Sequence, residues 1–216
     1  MKIRSTIELR DAITHALSWR KRELASLRSL IERRQPEHEK AALRRSAVPV
    51  LYAHWEGFTK EVAEFYLNFV SYRRLSLSEL RGNFVALACR DHFKAASETH
   101  KISVHEKLID HLRENWDKRA RIPRDHVIDT ESNLKPDVLK SVFSTIGIEY
   151  DAFWMGKEIF ISGSLIKTRN EIVHGENTFV DGKTYLELHR QVIQLLDRMR
   201  TCIENASVSK AYRLNP

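Results

Sequence analysis

A chain of 216 residues, 42% hydrophobic and 30% charged, excludes a disordered polyelectrolyte and is long enough to bury a sizeable core. Seven glycines and five prolines argue against a turn-rich β fold, and two cysteines, Cys89 and Cys202, exclude a disulfide framework and fit a reducing compartment. The formal net charge of +7 favours polyanionic partners, nucleic acid or an acidic protein. No run of about 18 apolar residues offers a membrane span. The start, Met1-Lys2-Ile3-Arg4-Ser5, leads into a charged segment and not an apolar signal region, so a cytoplasmic location is expected.

Residues 6 to 34 read as a long amphipathic helix, with Ile13, Leu17, Leu24, Leu27 and Ile31 at helical spacing. Arg20, Lys21, Arg22, Arg28, Arg33 and Arg34 make its other side a solvated basic face, or an arm for a partner or for RNA phosphates. This helix, within residues 1–35, is expected to pack on or extend the domain formed by residues 36–216. Gln35-Pro36 breaks the pattern. A second helical region runs from about 38 to 72, with Pro49 as a kink or a fresh start. Leu51, Trp55, Phe58, Val62, Phe65, Tyr66 and Phe69 give it the thickest apolar stripe in the chain. His54 and Glu56 flank that stripe, either as a hydrogen-bonded pair at the core edge or as groups lining a cleft.

Ser78 to Ala96 reads as a third helix with Leu80, Phe84, Leu87, Ala88 and Phe93 inward, and His100 to Trp116 as a fourth. His100, His105 and His111 lack the i, i+4 spacing of a helical zinc pair and read as surface histidines, so no metal site and no cofactor is expected. Residues 117 to 135 form a loop in which Lys118, Arg119, Arg121 and Arg124 cluster around Pro123. That loop is an RNA-contacting element or an ordinary solvated insertion. Asp129 to Ser132 supplies caps for a short helix, Pro136 to Ile146, stopped by Gly147. After the Asp181-Gly182 turn, Thr184 to Ala206 is a final helix. Its core face is Leu186, Val192, Ile193, Leu195, Leu196, Met199 and Ile203.

Between these lies a periodic segment, Lys157 to His174. At about 100° per residue, Ile159, Ile161, Leu165, Ile166, Ile172 and Val173 share one arc, and Arg169 falls inside it. An arginine keeps its charge at ordinary pH, so a place on an apolar face demands a partner that accepts several hydrogen bonds. Arg followed by His five residues later occurs four times: Arg10/His15, Arg33/His38, Arg121/His126 and Arg169/His174. Only the last has Asn directly after Arg, an apolar helix before it and a helix-stopping glycine, Gly175, after His.

Arg169-Asn170-Glu171-Ile172-Val173-His174-Gly175-Glu176, late in a helical chain, resembles the signature of the HEPN superfamily. Two other stretches resemble one HEPN-like nuclease group: Leu51-Tyr52-Ala53-His54-Trp55-Glu56-Gly57-Phe58 with Tyr66-Leu67, and Ser132-Asn133-Leu134 before the helix that ends at Gly147. The resemblance spans roughly residues 45 to 205. It implies an all-α helical bundle of HEPN type and a metal-independent endoribonuclease of toxin–antitoxin, abortive-infection or restriction-linked systems. It also implies a homodimer pooling two motifs in a composite site, and an antitoxin or restriction-system partner. Arg169, Asn170 and His174 are then the catalytic candidates, with His54, Glu56 and Glu171 as accessory candidates.

The residue chemistry fits. RNA can be cut by its own 2′-hydroxyl, which needs a group to move protons and a group to hold phosphate charge. Histidine titrates near neutrality, and the arginine fork donates paired, charge-assisted bonds. Asn170 can donate to phosphate or orient the histidine. A five-residue step leaves Arg169 and His174 roughly 140° apart on a helix, so they converge only if the helix end bends or two copies meet. Two other readings stand beside this one. The domain could be a non-catalytic helical interaction or nucleotide-binding module, or a DNA-binding protein, although no helix-turn-helix spacing is visible.

Overall fold

The computed structural model describes residues 2–131 and 133–215; Ser132, one of the expected cap residues, lies outside them. Among the described residues there are nine α-helices and no strand. α1 (Thr6–Arg33) and α2 (Glu37–Ser71) are the long N-terminal pair, followed by α3 (Gly82–Ala88), α4 (Arg90–Ser97) and α5 (Ile102–Asn115). α6 (Pro136–Ile146), the single turn α7 (Ala152–Met155), α8 (Lys167–Val173) and α9 (Gly182–Val208) complete the fold. None of these helices is long and apolar enough to cross a membrane.

α2 is the axis. It runs unbroken through Pro49, and it packs along both α1 and α9. Most of its stripe is buried as the spacing predicts: Leu51, Trp55, Phe58, Val62, Tyr66 and Phe69 are core residues, and Phe65 packs at the edge, partly buried. Trp55 stacks on Trp154 of α7 at 5.9 Å, and Phe143 of α6 meets Trp154 edge-on at 5.0 Å. Asp151 anchors this corner. Its carboxylate caps α7 by accepting from the backbone of Phe153 and Trp154, and it pairs with Arg198 of α9.

Several expectations need correction. Arg20 belongs to the core and not to a solvated face. Its guanidinium donates to the Ala16 carbonyl and to Glu61, and lies 4.4 Å from the centre of the Trp19 ring. The expected third helix is two helices, because the backbone breaks at Cys89 (φ −106°, ψ 13°). α4 therefore leaves the bundle direction, and Phe93 is 42% exposed instead of inward. α4 and α5 form a hairpin with no fully buried residue. Of the three histidines read as surface groups, His105 instead ties that hairpin, its Nε2 lying 2.9 Å from the Thr99 carbonyl. His111 stacks on His92 at 3.9 Å. Leu186 is exposed, and Tyr185 and Leu188 take its place against the core.

α6 ends where the sequence places its end. Gly147 has φ +67°, and a side chain there would meet Asn83 at 2.7 Å. Its start differs: Lys135 is the N-cap and contributes no side-chain bond, while Asp129 accepts from the Glu131 backbone instead. The segment before it runs antiparallel to α2 from one end to the middle. Ala120 N–H donates to the Leu75 carbonyl (2.8 Å), Arg124 donates to the Tyr72 hydroxyl (2.8 Å), and Leu134 N–H donates to the Tyr52 hydroxyl (2.7 Å).

Candidate active site

The motif sits on a helix that begins before α8. Residues 160–166 are wound as a π-helix leading directly into α8, so one turn holds an extra residue. This slips the phase that a uniform 100° step assumes. Ile161, Leu165, Ile166 and Ile172 are buried as expected, but Ile159 is 84% and Val173 57% exposed. Both were placed on the apolar arc, and both lie outside the core.

Arg169 is half-buried and does have partners. Its Nη1 donates to the side-chain oxygens of Asn170 (2.7 Å) and Asn133 (3.1 Å), and the guanidinium lies 4.7 Å from the centre of the Tyr52 ring. All three partners are neutral. Arg169 forms no ion pair among the described residues, and neither Nε nor Nη2 has a hydrogen-bond partner there. Nη1 is thus fixed, and the rest of the fork is unbonded among the described residues. The demand for acceptors was legible at the sequence level, but Asn133 and Tyr52 were not named as its answer. Both lie within the stretches that carry the HEPN resemblance.

Tyr52 is itself held tightly. It is buried, and its hydroxyl accepts from Leu134 N–H. Burial pushes its pKa up to about 12, against the Leu134 bond and the Arg169 charge, both of which lower it; the Glu56 carboxylate raises it further. The ring stays neutral and serves as a floor for the cation. Glu56 is therefore brought to this group. His54 is not. Two residues from Tyr52, it faces the other side of α2, where its Nε2 lies 3.3 Å from Glu23 of α1 and its ring meets Trp19 edge-on. The expected His54/Glu56 pair is thus split between two faces. His54 is 7% exposed, and burial lowers its pKa.

The helix end presents His174. Gly175 has φ +83°; its N–H donates to the Ile172 carbonyl (3.1 Å), and Glu176 N–H donates to the Glu171 carbonyl (2.9 Å). These are the paired bonds of a Schellman stop, which glycine allows because it lacks a Cβ. Glu171 is occupied by this turn: its carboxylate accepts from the Thr178 hydroxyl at 3.1 Å. Arg45 of α2 reaches across to the Glu176 carbonyl at 2.6 Å and adds a cation beside the turn. The His174 side chain is exposed and makes no hydrogen bond, ion pair or ring contact among the described residues.

Lys118, Arg119, Arg121 and Arg124 are not part of this group. They lie near Tyr72, at the C-terminal end of α2, 20 residues from Tyr52 and so roughly 30 Å along the helix. Among the described residues no three His, Cys, Asp or Glu side chains are grouped to hold a metal ion.

Compared with known families, residues 15–205 match the RiboL-PSP-HEPN family. The chain belongs to that family. It is therefore a HEPN superfamily member with the HEPN helical fold, and the domains of this family are typically ribonucleases. No curated protein and no solved structure matches. The RiboL-PSP-HEPN match covers α2 through most of α9, so the Arg169–His174 segment and its Tyr52 and Asn133 supports all lie within it.

Proposed function

We propose that this RiboL-PSP-HEPN protein is a metal-independent endoribonuclease acting as a toxin or anti-phage effector. The observation that carries the reading is the state of Arg169. Its charge is held by two amide oxygens and an aromatic ring and forms no direct ion pair among the described residues, the nearby Glu56 carboxylate meeting the same ring at Tyr52. A half-buried cation of this kind is a ready partner for an anion from outside, and a phosphate accepts its free fork in paired bonds.

In the proposed reaction His174 takes the proton of a ribose 2′-hydroxyl. The 2′-oxygen bonds to the adjacent phosphorus while Nε and Nη2 of Arg169 hold the charge that builds on the phosphate oxygens. Asn170, whose oxygen is committed to Arg169, offers its amide N–H groups to the same phosphate. The bond from phosphorus to the 5′-oxygen breaks, and the His174 of a second copy, in its protonated form, supplies the proton to that oxygen. The products are a 2′,3′-cyclic phosphate and a 5′-hydroxyl. RNA incubated with the protein in EDTA is expected to be cut and to carry those ends. Cleavage that stops in EDTA and returns with magnesium overturns the mechanism.

The second copy has a surface to meet. Ile159, Val173 and Phe179, the last 76% exposed, flank the motif, and the exposed lip Ser162-Gly163-Ser164 lies on the same helix. Open space above Gly163 lets another backbone come close. A two-fold contact here is isologous and sets two motifs side by side. Gly163→Arg is expected to give a monomer in sedimentation and to lower cleavage by on the order of 10²-fold or more, with Arg169 and His174 untouched. A fully active Gly163→Arg monomer excludes the composite site. An antitoxin or restriction-linked partner that restrains the enzyme is part of the same proposal.

A further inference from the structure

A second charged cleft lies at the far end of α2. The end of α2, the α3–α4 junction, α5 and residues 118–124 enclose about 860 Å³. Lys118, Arg119, Arg121 and Arg124 line it, and none of the four forms an ion pair among the described residues. Elsewhere on the surface many cations are matched locally, as in Arg28–Glu32, Arg44–Glu37 and Arg190–Glu187. Here four fall within seven residues, flanked by Asp117 and Asp125 but ion-paired to neither.

The lining suits a nucleic-acid backbone better than stacked bases. The aromatic rings among its described lining residues are taken: the guanidinium of Arg124 lies 5.1 Å from the centre of the Tyr72 ring and that of Arg4 5.7 Å, and His111 is stacked on His92 at 3.9 Å. A space of this size takes the backbone of a single strand and not a duplex, whose major groove alone is about 12 Å wide. Because Tyr72 and Tyr52 lie on one continuous helix, the cleft stands at a set distance from Arg169, roughly 30 Å.

We propose that this cleft is an exosite for the phosphates of single-stranded RNA, seating a stretch of substrate several nucleotides from the bond cut at Arg169 and His174. The inference rests on the ribonuclease reading above. Binding there is sequence-tolerant and salt-dependent, since it comes from released counterions and not from base edges.

The test measures binding with catalysis switched off. The full chain carrying His174→Ala is titrated against a labelled single-stranded RNA of about 16 nucleotides, the upper end of usual single-strand site sizes. Adding Lys118→Glu and Arg121→Glu is expected to weaken binding at least tenfold and, at about 0.7 per phosphate contact, to lower the salt slope by about 1.4. Lys118→Gln with Arg121→Gln, which adds no repulsion, is expected to lower the slope by the same amount. The charge-matched control Lys94→Glu with Lys107→Glu, on the neighbouring hairpin, is expected to leave the slope unchanged. RNA that binds equally well after the Lys118 and Arg121 changes overturns the exosite alone. Equal losses from the hairpin control overturn it too, because a general field then explains the effect. Stronger binding to a DNA duplex than to the single strand overturns the ligand assignment. Failure of the His174→Ala protein to bind RNA at all removes the ribonuclease reading and the exosite together.

Discussion

Replacing His174 by alanine is expected to lower RNA cleavage by on the order of 10²–10⁴-fold, the usual worth of a positioned proton-transfer group. In transition-state terms that is about 3–5 kcal/mol. The loss should fall on the chemical step. The side chain is exposed and makes no hydrogen bond, ion pair or ring contact with a described residue, so thermal stability and RNA affinity are expected to stay near those of the wild type. Single-turnover cleavage beside a thermal melt checks both halves. Bacterial growth gives an independent readout: the wild type is expected to be toxic on expression and His174→Ala harmless at equal protein level. Undiminished cleavage by His174→Ala removes the histidine from the mechanism. A parallel fall in melting temperature would instead give it a structural task that its surroundings do not indicate.

The largest effect on stability is expected at Tyr52. Truncating a buried aromatic to alanine costs about 3–5 kcal/mol, and here it also removes the floor beneath Arg169. Tyr52→Phe separates the two roles. The ring and its contact with the guanidinium remain, but the Leu134 N–H loses its acceptor. That leaves a buried donor unpaired, at about 1–3 kcal/mol. Cleavage is therefore expected to survive Tyr52→Phe in the folded protein and to collapse in Tyr52→Ala even where denaturation curves show it folded. Equal activity in the two variants would mean that the ring does not position Arg169. The hydroxyl has its own signature. Its pKa is 10.0 unfolded and about 12 folded, so its contribution to stability is complete below pH 10. As pH rises from 10 to about 12 the unfolded chain gives up the proton first and stability falls. Tyr185, also raised to about 12 by burial, adds to the same slope. Urea titrations across that window should be less steep for Tyr52→Phe.

Much of the fold was legible because long periodic helices write their burial into spacing. The α2 stripe, the Gly147 stop and the span of α9 follow from local chemistry. The motif was legible for a different reason: Arg-Asn with His-Gly in that context carries a resemblance that bare spacing does not. What could not be read was anything set by a partner distant in sequence. Asn133 and Tyr52 stand 36 and 117 positions before Arg169, and nothing local says that they meet there. The direction of His54 depends on where α1 lies, and α1 brings Glu23 to it. The exposure of Ile159 and Val173 follows from the π-wound turn between them. A helix pattern counted at a uniform step has no means of registering one added residue. Phe93 and Leu186 failed for simpler causes: a break at Cys89, and the choice of Tyr185 and Leu188 over their neighbour.

The π-wound turn also means that this helix tolerates two lengths. It is pinned on either side of its exposed lip, by Ile161 before it and by Leu165, Ile166, Ile172 and the Arg169 contacts after it. The surplus residue sits between these pins, where a side chain added at Gly163 would meet no described atom within 4 Å. Shortening the lip by one position lets the hydrogen-bond ladder close to ordinary α spacing while both pins keep their seats. Lengthening it by one has no such outlet, since the turn is already wide, and the strain passes to Arg169. Insertions and deletions in this stretch are therefore not equivalent for the fold of a single copy: the segment carries slack in one direction only.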